Sequence, residues 1–234
     1  MTGRTLSAIA LLMVLACQSN STGPNYDPAL PSAWANAVTN AYFPLVPGTI
    51  LEYSGQTASG PETVTVEVLR ETKVINGVRA TVVRDRVVLN GKLKEDTIDW
   101  YGQDNVGNVW YLGEAVKDYE NGQVVSTEGS FEWGVDGALP GIIMWADPLA
   151  HVGTDYRQEY YRRHAEDWAK VLAGGQAVTV PAGSFSGCIR IEEWNGLKSE
   201  AHTSKTYCPQ VGIALENSAV TGGDRVELVR VTKP

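Results

Sequence analysis

Residues 62 to 103 read ETVTVEVLRETKVINGVRATVVRDRVVLNGKLKEDTIDWYGQ, and this stretch decides the fold. From residue 63 to residue 68, valine alternates with threonine or glutamate, which is the period of a strand with one buried face. Asn76-Gly77 and Asn90-Gly91 divide the stretch, and Asn-Gly favours the left-handed dihedral angles of a type I′ hairpin turn. The stretch therefore predicts three antiparallel strands joined by two tight turns.

The same alternation of strand-like runs and turns continues towards the end of the chain, with Asn121-Gly122 as a third hairpin signal. Only residues 34–40 and 165–172 have the composition of short helices. Consecutive hairpins without crossover helices form an antiparallel meander, and a sheet of ten or more strands tends to curl. We therefore predict a mostly β protein, an antiparallel meander that forms a strongly curved sheet or barrel with little helix. Further strand-like runs are Val109–Tyr119, Gln123–Trp133, Ala177–Val180, Phe185–Trp194, Thr203–Tyr207, Gly212–Glu216 and Arg225–Val231.

The amino terminus carries an apolar run, Leu6 to Leu15, preceded by Arg4. The run is shorter than the roughly 18 residues that span a bilayer, and no later run reaches that length. It ends in Val14-Leu15-Ala16-Cys17, which resembles the lipobox of bacterial lipoproteins. An ordinary secretory signal with a chance cysteine, or a buried helix, is the alternative interpretation.

The resemblance to lipoproteins implies a division of the chain into three parts. Residues 1–16 would be a signal peptide, 17–33 a lipidated flexible tether, and 34–234 a single β-rich extracytoplasmic domain. Cys17 would carry a palmitate-type acyl chain on its sulfur and a second acyl group on its new amine, which together anchor a protein stably in a membrane. The implied location is the cell envelope, and Gln18, which is not aspartate, favours the outer membrane in an organism with two membranes.

The charge and the cysteine content restrict the partners and the compartment. The formal charge is −8, and removal of Arg4 with the signal peptide makes it −9. An acidic chain repels phosphate backbones, so we expect no nucleic-acid partner. With Cys17 assigned to lipid, Cys188 and Cys208 remain, and in an exported protein they are candidates for one disulfide. Two separate buried thiols are the alternative.

Three short stretches resemble an uncharacterised class of β-rich bacterial secreted proteins and lipoproteins. They are Tyr42 to Thr49 (YFPLVPGT), Val180 to Phe185 (VPAGSF) and Tyr207 to Gly212 (YCPQVG). The resemblance extends loosely from about residue 40 to the end, and it implies a β-rich extracytoplasmic domain without a known activity. Proline fixes φ and glycine allows φ values that other residues avoid, so each stretch is also typical of a strand end or a turn.

A search for catalytic and metal-binding motifs favours neither an enzyme nor a metalloprotein. The sequence contains neither a G-x-S-x-G elbow nor an H-E-x-x-H motif, and we expect no cofactor and no metal. Asp104, Asn105 and Asn108 form a group of oxygen ligands of the kind that binds Ca²⁺, but Ala115 stands where an EF-hand loop needs glutamate, and these are ordinary turn residues. Paired carboxylates for glycoside hydrolysis are open as an alternative, although charges on antiparallel strands normally lie on a solvated face. The candidate acids are Asp85, Glu95, Asp99, Glu159, Glu192 and Glu193.

The best candidates for ligand binding are apolar and aromatic residues. Residues 134–155 break the hairpin rhythm, and we interpret them either as a flap over an apolar groove or as a short buried strand. Within Trp100-Tyr101 and Trp110-Tyr111, neighbouring rings must point to opposite faces of the sheet. The predicted ligand-binding set is Ile142, Ile143, Met144, Trp145, Trp100 and Trp110.

These observations leave three functions open. The first is a non-enzymatic, membrane-anchored lipoprotein that binds an apolar ligand or an envelope protein partner on its curved sheet. The second is a surface module that binds glycans through exposed tryptophan and tyrosine side chains. The third is an envelope hydrolase that uses a carboxylate pair.

Overall fold

The computed structural model describes residues 26–198, 202–218 and 223–234, so the predicted signal peptide and Cys17 lie outside the described residues. No α-helix occurs in these three ranges, and their only helical turn is a 3₁₀ segment at Pro148–His151. The mostly β fold class is therefore confirmed. The strands are β1 (Ile50–Thr57), β2 (Gly60–Ile75), β3 (Val78–Leu89), β4 (Lys92–Gln103), β5 (Val109–Ala115), β6 (Asp118–Glu120), β7 (Gln123–Ser126), β8 (Phe131–Glu132), β9 (Leu139–Met144), β10 (Asp155–Arg157), β11 (Glu159–Tyr160), β12 (Asp167–Val180), β13 (Gly183–Asn195), β14 (His202–Cys208), β15 (Gly212–Ser218) and β16 (Arg225–Thr232).

The strands form one antiparallel sheet that nearly closes into a barrel. Its order is β10-β12-β13-β14-β15-β16-β1-β2-β3-β4-β5-β9-β11, while β6 and β7 form a side hairpin next to β4 and β8 pairs with β5. The two edge strands, β10 and β11, are separated in the chain only by Gln158. Because these edge strands are only three and two residues long, they offer little free edge for pairing with another sheet.

The three Asn-Gly hairpin turns are confirmed. Asn76, Asn90 and Asn121 have φ angles of 47°, 53° and 50°, and each following glycine also has a positive φ. Two consecutive residues with positive φ define the type I′ turn, whose twist matches that of the flanking strands. The turns connect β2 to β3, β3 to β4 and β6 to β7.

Both short helices expected from composition are wrong. Residues 34–40 are extended with bends, and they are held by backbone and side-chain hydrogen bonds to Gln103 at the end of β4. Residues 165–172 enter β12, where Trp168 pairs with Trp194 of β13. In both cases pairing with the sheet overrides a weak local preference, because tertiary hydrogen bonds outweigh propensities of a few tenths of a kcal/mol.

Residues 134–155 contain the buried strand and no flap. β9 pairs with β5 on one side and with β11 on the other, so Leu139–Met144 belongs to the sheet itself. Residues 26–33, which the sequence assigns to the tether, contact the same region, since Tyr26 donates a hydrogen bond from its hydroxyl to the carbonyl oxygen of Pro140 (3.0 Å). This end of the predicted tether is part of the domain surface.

The expected disulfide joins Cys188 of β13 to Cys208 of β14. Both half-cystines are fully buried, and they pack with Ala214 beside the larger apolar cores. A covalent loop of this size stabilises a fold by roughly 3 kcal/mol in the chain-entropy model. Within the described ranges, no helix has the length and apolar character needed to cross a membrane.

Candidate functional site

An apolar pocket of about 670 Å³ lies where the amino-terminal segment crosses the sheet, and we call it the outer pocket. Residues 26–33 form one wall, the turn at 104–108 forms a second, and side chains of β5, β9, β10 and β12 form the floor. The larger lining side chains are Tyr26, Val106, Trp110, Ile142, Trp145, Tyr156, Arg157 and Trp168.

Three of the six predicted ligand-binding residues meet in the outer pocket: Trp110, Ile142 and Trp145. Ile143 lines the interior of the sheet instead, as expected from the alternation of side chains along β9. Met144 is fully buried, and Trp100 is covered by the Lys73 ammonium group, 3.3 Å from its ring centroid. The structure therefore does not bring these last three side chains together with the first three.

Trp145 is the most informative side chain of the outer pocket. Its ring stacks on His151 with centroids 3.9 Å apart and packs edge-on against Tyr156 at 5.5 Å. Its indole Nε1 is buried and donates no hydrogen bond to any described residue. A buried donor without an acceptor costs about 1–3 kcal/mol, so this atom is a point where a ligand acceptor would gain free energy.

The charged groups at the outer pocket are already paired. The guanidinium group of Arg157 lies 4.2 Å from the ring centroid of Trp168 and 3.1 Å from Glu166. Asp155 binds Lys170 at 2.8 Å. The pocket therefore offers apolar and aromatic walls with hydrogen-bond donors, and it carries no unpaired carboxylate among the described residues.

Asp104 is a structural residue of the turn that borders the outer pocket. Its Oδ1 accepts hydrogen bonds from the backbone amides of Val106, Gly107 and Asn108, at 2.8 to 3.0 Å. Its Oδ2 accepts from the Asn108 side chain (2.9 Å) and from Trp110 Nε1 (3.0 Å). The carboxylate that was considered as a calcium ligand therefore already accepts five hydrogen bonds. One of them holds the Trp110 ring in place.

A second cavity, of about 330 Å³, lies inside the curved sheet, and we call it the interior cavity. It is partly open to solvent, and Lys205 of β14 contributes the only ammonium group of its described walls. Carboxyl groups dominate the lining. They belong to Asp85, Glu95, Asp99, Glu114, Glu159, Asp167 and Glu193.

The expectation of a solvated face is wrong for most of the candidate acids. Five of the six candidate acids line the interior cavity. Glu192 does not, and its carboxylate lies 3.0 Å from Nδ1 of His202. The cause is the curvature of the sheet, because closing it turns one polar face inward. Alternation along a strand separates the two faces but does not say which one becomes the interior.

A β-bulge brings two residues with odd spacing into the same cavity. Trp100 pairs with Gly113 and Tyr101 with Tyr111, so the register skips Leu112 and both Tyr111 and Glu114 face inward. Gly113 has φ of 149°, and a Cβ there would lie 2.4 Å from the carbonyl oxygen of Phe131. The close approach of β8 therefore requires glycine at the bulge.

Hydrogen bonds hold part of this acidic lining. The Tyr111 hydroxyl donates to Asp99 at 2.5 Å, and the Tyr207 hydroxyl donates to Glu193 at 2.7 Å. The second oxygen of Glu193 binds Lys205 Nζ at 2.7 Å. Burial lowers the pKa of Lys205, but the opposing effect of Glu193 and Glu216 is larger, so that its pKa is raised and the ammonium stays charged.

Burial raises the pKa values of the other acids in this lining. Burial raises the pKa of Asp99 to about 7, and burial together with Glu193 raises the pKa of Asp167 to about 6. Burial also holds the pKa values of Asp85, Glu114 and Glu159 well above the usual range, and neighbouring carboxylates add to each shift. Removing a carboxylate from water disfavours its charged form, and crowding of like charges has the same sign.

A row of flat rings begins with Trp168 at the outer pocket and extends across β12, β13 and β14. The rings of Trp168 and Trp194 are nearly parallel, with centroids 6.3 Å apart, and Trp194 stacks on His202 at 5.3 Å. All three side chains are half-buried. No local sequence pattern indicates this row, because it depends on the cross-strand register of three strands.

The sequence matches no family model and no curated protein. Among solved structures, a candidate lipoprotein from Parabacteroides distasonis ATCC 8503 matches with a TM-score of 0.45 and 13% identity. The match covers 82% of this chain and 99% of that one. A likeness this distant assigns neither a family nor a function to the chain.

Proposed function

We propose that this chain is a non-enzymatic, lipid-anchored binding protein of the cell envelope that holds a small apolar ligand in the outer pocket. The observation that carries the proposal is Trp145, whose buried Nε1 has no acceptor among the described residues although it lines an apolar pocket. A carbonyl or hydroxyl oxygen of a ligand would accept this hydrogen bond. The ligand therefore has an apolar body and at least one acceptor group.

The position of the outer pocket along the chain supports a ligand that comes from the membrane. Tyr26, in the wall of the pocket, follows the proposed lipid anchor at Cys17 by only nine residues. At most about 3.5 Å per residue, this connection reaches roughly 30 Å. The proposal thus places the outer pocket within about 30 Å of the bilayer surface, where an apolar compound can be received without a long aqueous path.

The polar groups of the outer pocket support binding more than catalysis. Among the described residues, the two lining acids are Asp104, which accepts five hydrogen bonds, and Asp155, which pairs with Lys170. A carboxylate whose lone pairs already accept several donors is a weak general base. We therefore assign neither residue a catalytic role.

The test compares two exposed valines, of which only one lines the outer pocket. Val106 is 75% exposed at the pocket rim and Val74 is 68% exposed on β2, away from it. Wild-type protein, Val106→Glu and Val74→Glu are purified from membranes, extracted with organic solvent and analysed by mass spectrometry. We expect an apolar compound with wild type and Val74→Glu, and a severalfold smaller amount with Val106→Glu, because a charge at the rim repels an apolar ligand.

A titration with decanoic acid, followed by tryptophan fluorescence, gives a second measurement that does not depend on a retained ligand. Saturable binding to wild type and to Val74→Glu, weakened in Val106→Glu, would support the proposal. Blank extracts together with the absence of saturable binding would refute it.

The row formed by Trp168, Trp194 and His202 favours glycan binding as a second candidate function. Parallel rings on a sheet surface stack well on the apolar faces of sugars. Under this hypothesis chitohexaose or maltohexaose quenches tryptophan emission in wild type but not in Trp194→Ala, with Trp100→Phe as the control outside the row. Unchanged emission in wild type would remove this candidate.

A further inference from the structure

The interior cavity contains far more acid than base. Among the described residues, seven carboxyl groups line it, and their one ammonium group, on Lys205, is already paired with Glu193 at 2.7 Å. The free energy of an unpaired carboxylate rises steeply on burial, so the folded chain must neutralise this lining with protons or with a positive ligand.

Gln158 gives an independent indication that the interior cavity can bind a ligand. Its side chain lines the cavity and is only 4% exposed, yet its Nε2 donates no hydrogen bond to any described residue. Oδ1 of Asp85, in the same wall, is buried and equally without a partner in the described part of the chain. The cavity thus presents one unused donor and one unused acceptor, so a matching ligand must accept as well as donate.

The arrangement of the acids favours an organic cation over a metal ion. Within the described ranges, no three acidic, histidine or cysteine side chains converge in a way that could hold a metal. The wall also includes Tyr101 and Tyr111, which stack with centroids 4.8 Å apart and an interplanar angle of 13°. Aromatic faces attract ammonium groups by the cation–π interaction, whereas Ca²⁺ and Mg²⁺ require several oxygens at short distance.

An apolar compartment of about 150 Å³ adjoins the acidic one. The two share Asp85, Asp99, Tyr101, Ile143 and Lys205. Beyond these shared side chains, the smaller compartment is lined largely by aliphatic and aromatic groups, among them Leu51, Val66 and Val83. A ligand that extends from one compartment into the other would have a charged end and an apolar end.

We propose that the interior cavity binds a small primary ammonium compound that carries a short apolar substituent and a hydrogen-bond acceptor. The ammonium group lies among the carboxylates next to the Tyr101 ring, the apolar part packs on Ile143, which both compartments share, and the acceptor at its far end faces Gln158 Nε2. This site is separate from the outer pocket and does not depend on the function proposed for it.

Tyramine and tyrosol test the proposal directly, because the two compounds differ mainly in the exchange of an ammonium group for a hydroxyl. Isothermal titration calorimetry is done on the full chain in detergent at pH 7. We expect one tyramine site per chain, with an affinity at least tenfold higher than that for tyrosol. Glu114→Gln and Glu159→Gln each lower the tyramine affinity at least fivefold, while Glu120→Gln, an exposed acid on β6 outside the cavity, leaves it unchanged.

Several results would overturn the proposal. They are no tyramine binding at millimolar concentration, equal affinities for tyramine and tyrosol, or full affinity in both cavity variants. Displacement of tyramine by micromolar Ca²⁺ would also overturn the proposal, because it would show that the cavity binds an inorganic cation in preference to an organic one. The comparison of the two compounds needs no variant, and Asp85→Asn is available if a glutamate variant fails to fold. Val106→Glu should bind tyramine normally, so failure at the outer pocket and failure here are distinguishable.

Discussion

The outer pocket and the interior cavity share strands β5, β9 and β12, but burying their walls has opposite effects on the free energy of folding. Trp110 and Ile142 line the outer pocket, while their chain neighbours Tyr111 and Ile143 line the interior cavity. The outer walls are apolar and aromatic, so burying them is favourable without further help. The inner walls carry carboxyl groups, whose burial is costly unless protons or cations balance them. We therefore expect the stability of the protein to depend strongly on charge changes and pH at the interior cavity and only weakly on those at the outer surface.

The largest effect is expected for Lys205→Met, which removes the only ammonium group from the described lining of the interior cavity. Glu193 would then be buried without its cation, and breaking a buried ion pair in this way costs about 3–5 kcal/mol. Urea unfolding followed by circular dichroism measures the loss.

Lys73→Met is the matched control on the outside of the sheet. Lys73 also binds a glutamate, Glu132 at 2.7 Å, but both side chains are about one-third exposed. Because exposed pairs contribute about 0–1 kcal/mol, this variant should change the stability little. Equal losses in the two lysine variants would contradict the contrast between inside and outside.

The second prediction is that the protein is more stable at pH 5 than at pH 8. The pKa of Asp99 is about 7 and that of Asp167 about 6 in the folded chain, against about 4 in an unfolded chain. Between these values the folded chain binds more protons than the unfolded one, so stability is greatest near pH 4 to 5 and is lost as the pH rises through 6 to 7. We expect a decrease on the order of 2 kcal/mol in urea unfolding.

Asp99→Asn sharpens this prediction, since the amide mimics the protonated acid and should make the profile flatter. Arg84 lowers the pKa of Asp96, and this outer pair loses stability only at lower pH. The window from pH 5 to pH 8 therefore isolates the interior acids. A wild-type profile that rises from pH 5 to pH 8 would show that these acids are ionised without cost.

The sequence predicted the hairpins well because their determinants are local. A type I′ turn requires positive φ at two consecutive residues, and asparagine and glycine are the residues that adopt positive φ most readily. The alternation of β2 and the boundaries of β3 and β4 follow from the same kind of short-range pattern. Strand β9 was harder, because its apolar run between Pro140 and Pro148 fits a flap as well as a strand.

The two cavities could be predicted only in part, since they depend on closure and register. Trp110, Ile142 and Trp145 were identified as apolar residues in unusual contexts, but nothing local shows that residues 26–33 form the opposite wall. Five of the seven described acids of the interior cavity were identified as candidates but placed on the wrong face, because the direction in which a sheet curls is a property of the whole sheet. Asp167 was missed because residues 165–172 were expected to form a helix. Glu114 was missed because the bulge at Gly113 changes the parity of β5.

The third prediction concerns Trp145→Phe, which keeps an aromatic ring in the outer pocket and removes only the indole N–H. If that N–H donates to the ligand, the affinity for decanoic acid should fall about fivefold, since one hydrogen bond contributes about 1 kcal/mol. The stability without ligand should change little, because the lost donor has no partner among the described residues. Fluorescence titration measures the affinity, and Trp100→Phe, with a ring covered by Lys73, is the control.

The smallest effect, and the one whose sign is most informative, is expected for Gln158→Leu. Nε2 of Gln158 has no acceptor among the described residues, so an apolar side chain of similar size removes the cost of burying that donor. Without ligand, the variant should be as stable as wild type or more stable by up to about 1 kcal/mol, while its tyramine affinity falls.

Gln103→Leu is the matched control, because Gln103 is equally buried but its Oε1 accepts from the backbone amides of Thr39 and Asn40 at 2.7 and 2.8 Å. Removing that acceptor leaves two amides unpaired, of which the Asn40 amide is buried, and should cost about 1–3 kcal/mol. The two substitutions are chemically identical, so a difference between them in urea unfolding measures hydrogen-bond satisfaction alone. If Gln158→Leu costs as much as Gln103→Leu, then Gln158 already has a partner in the ligand-free protein, such as bound water, and its role as an open contact for an ammonium ligand is lost.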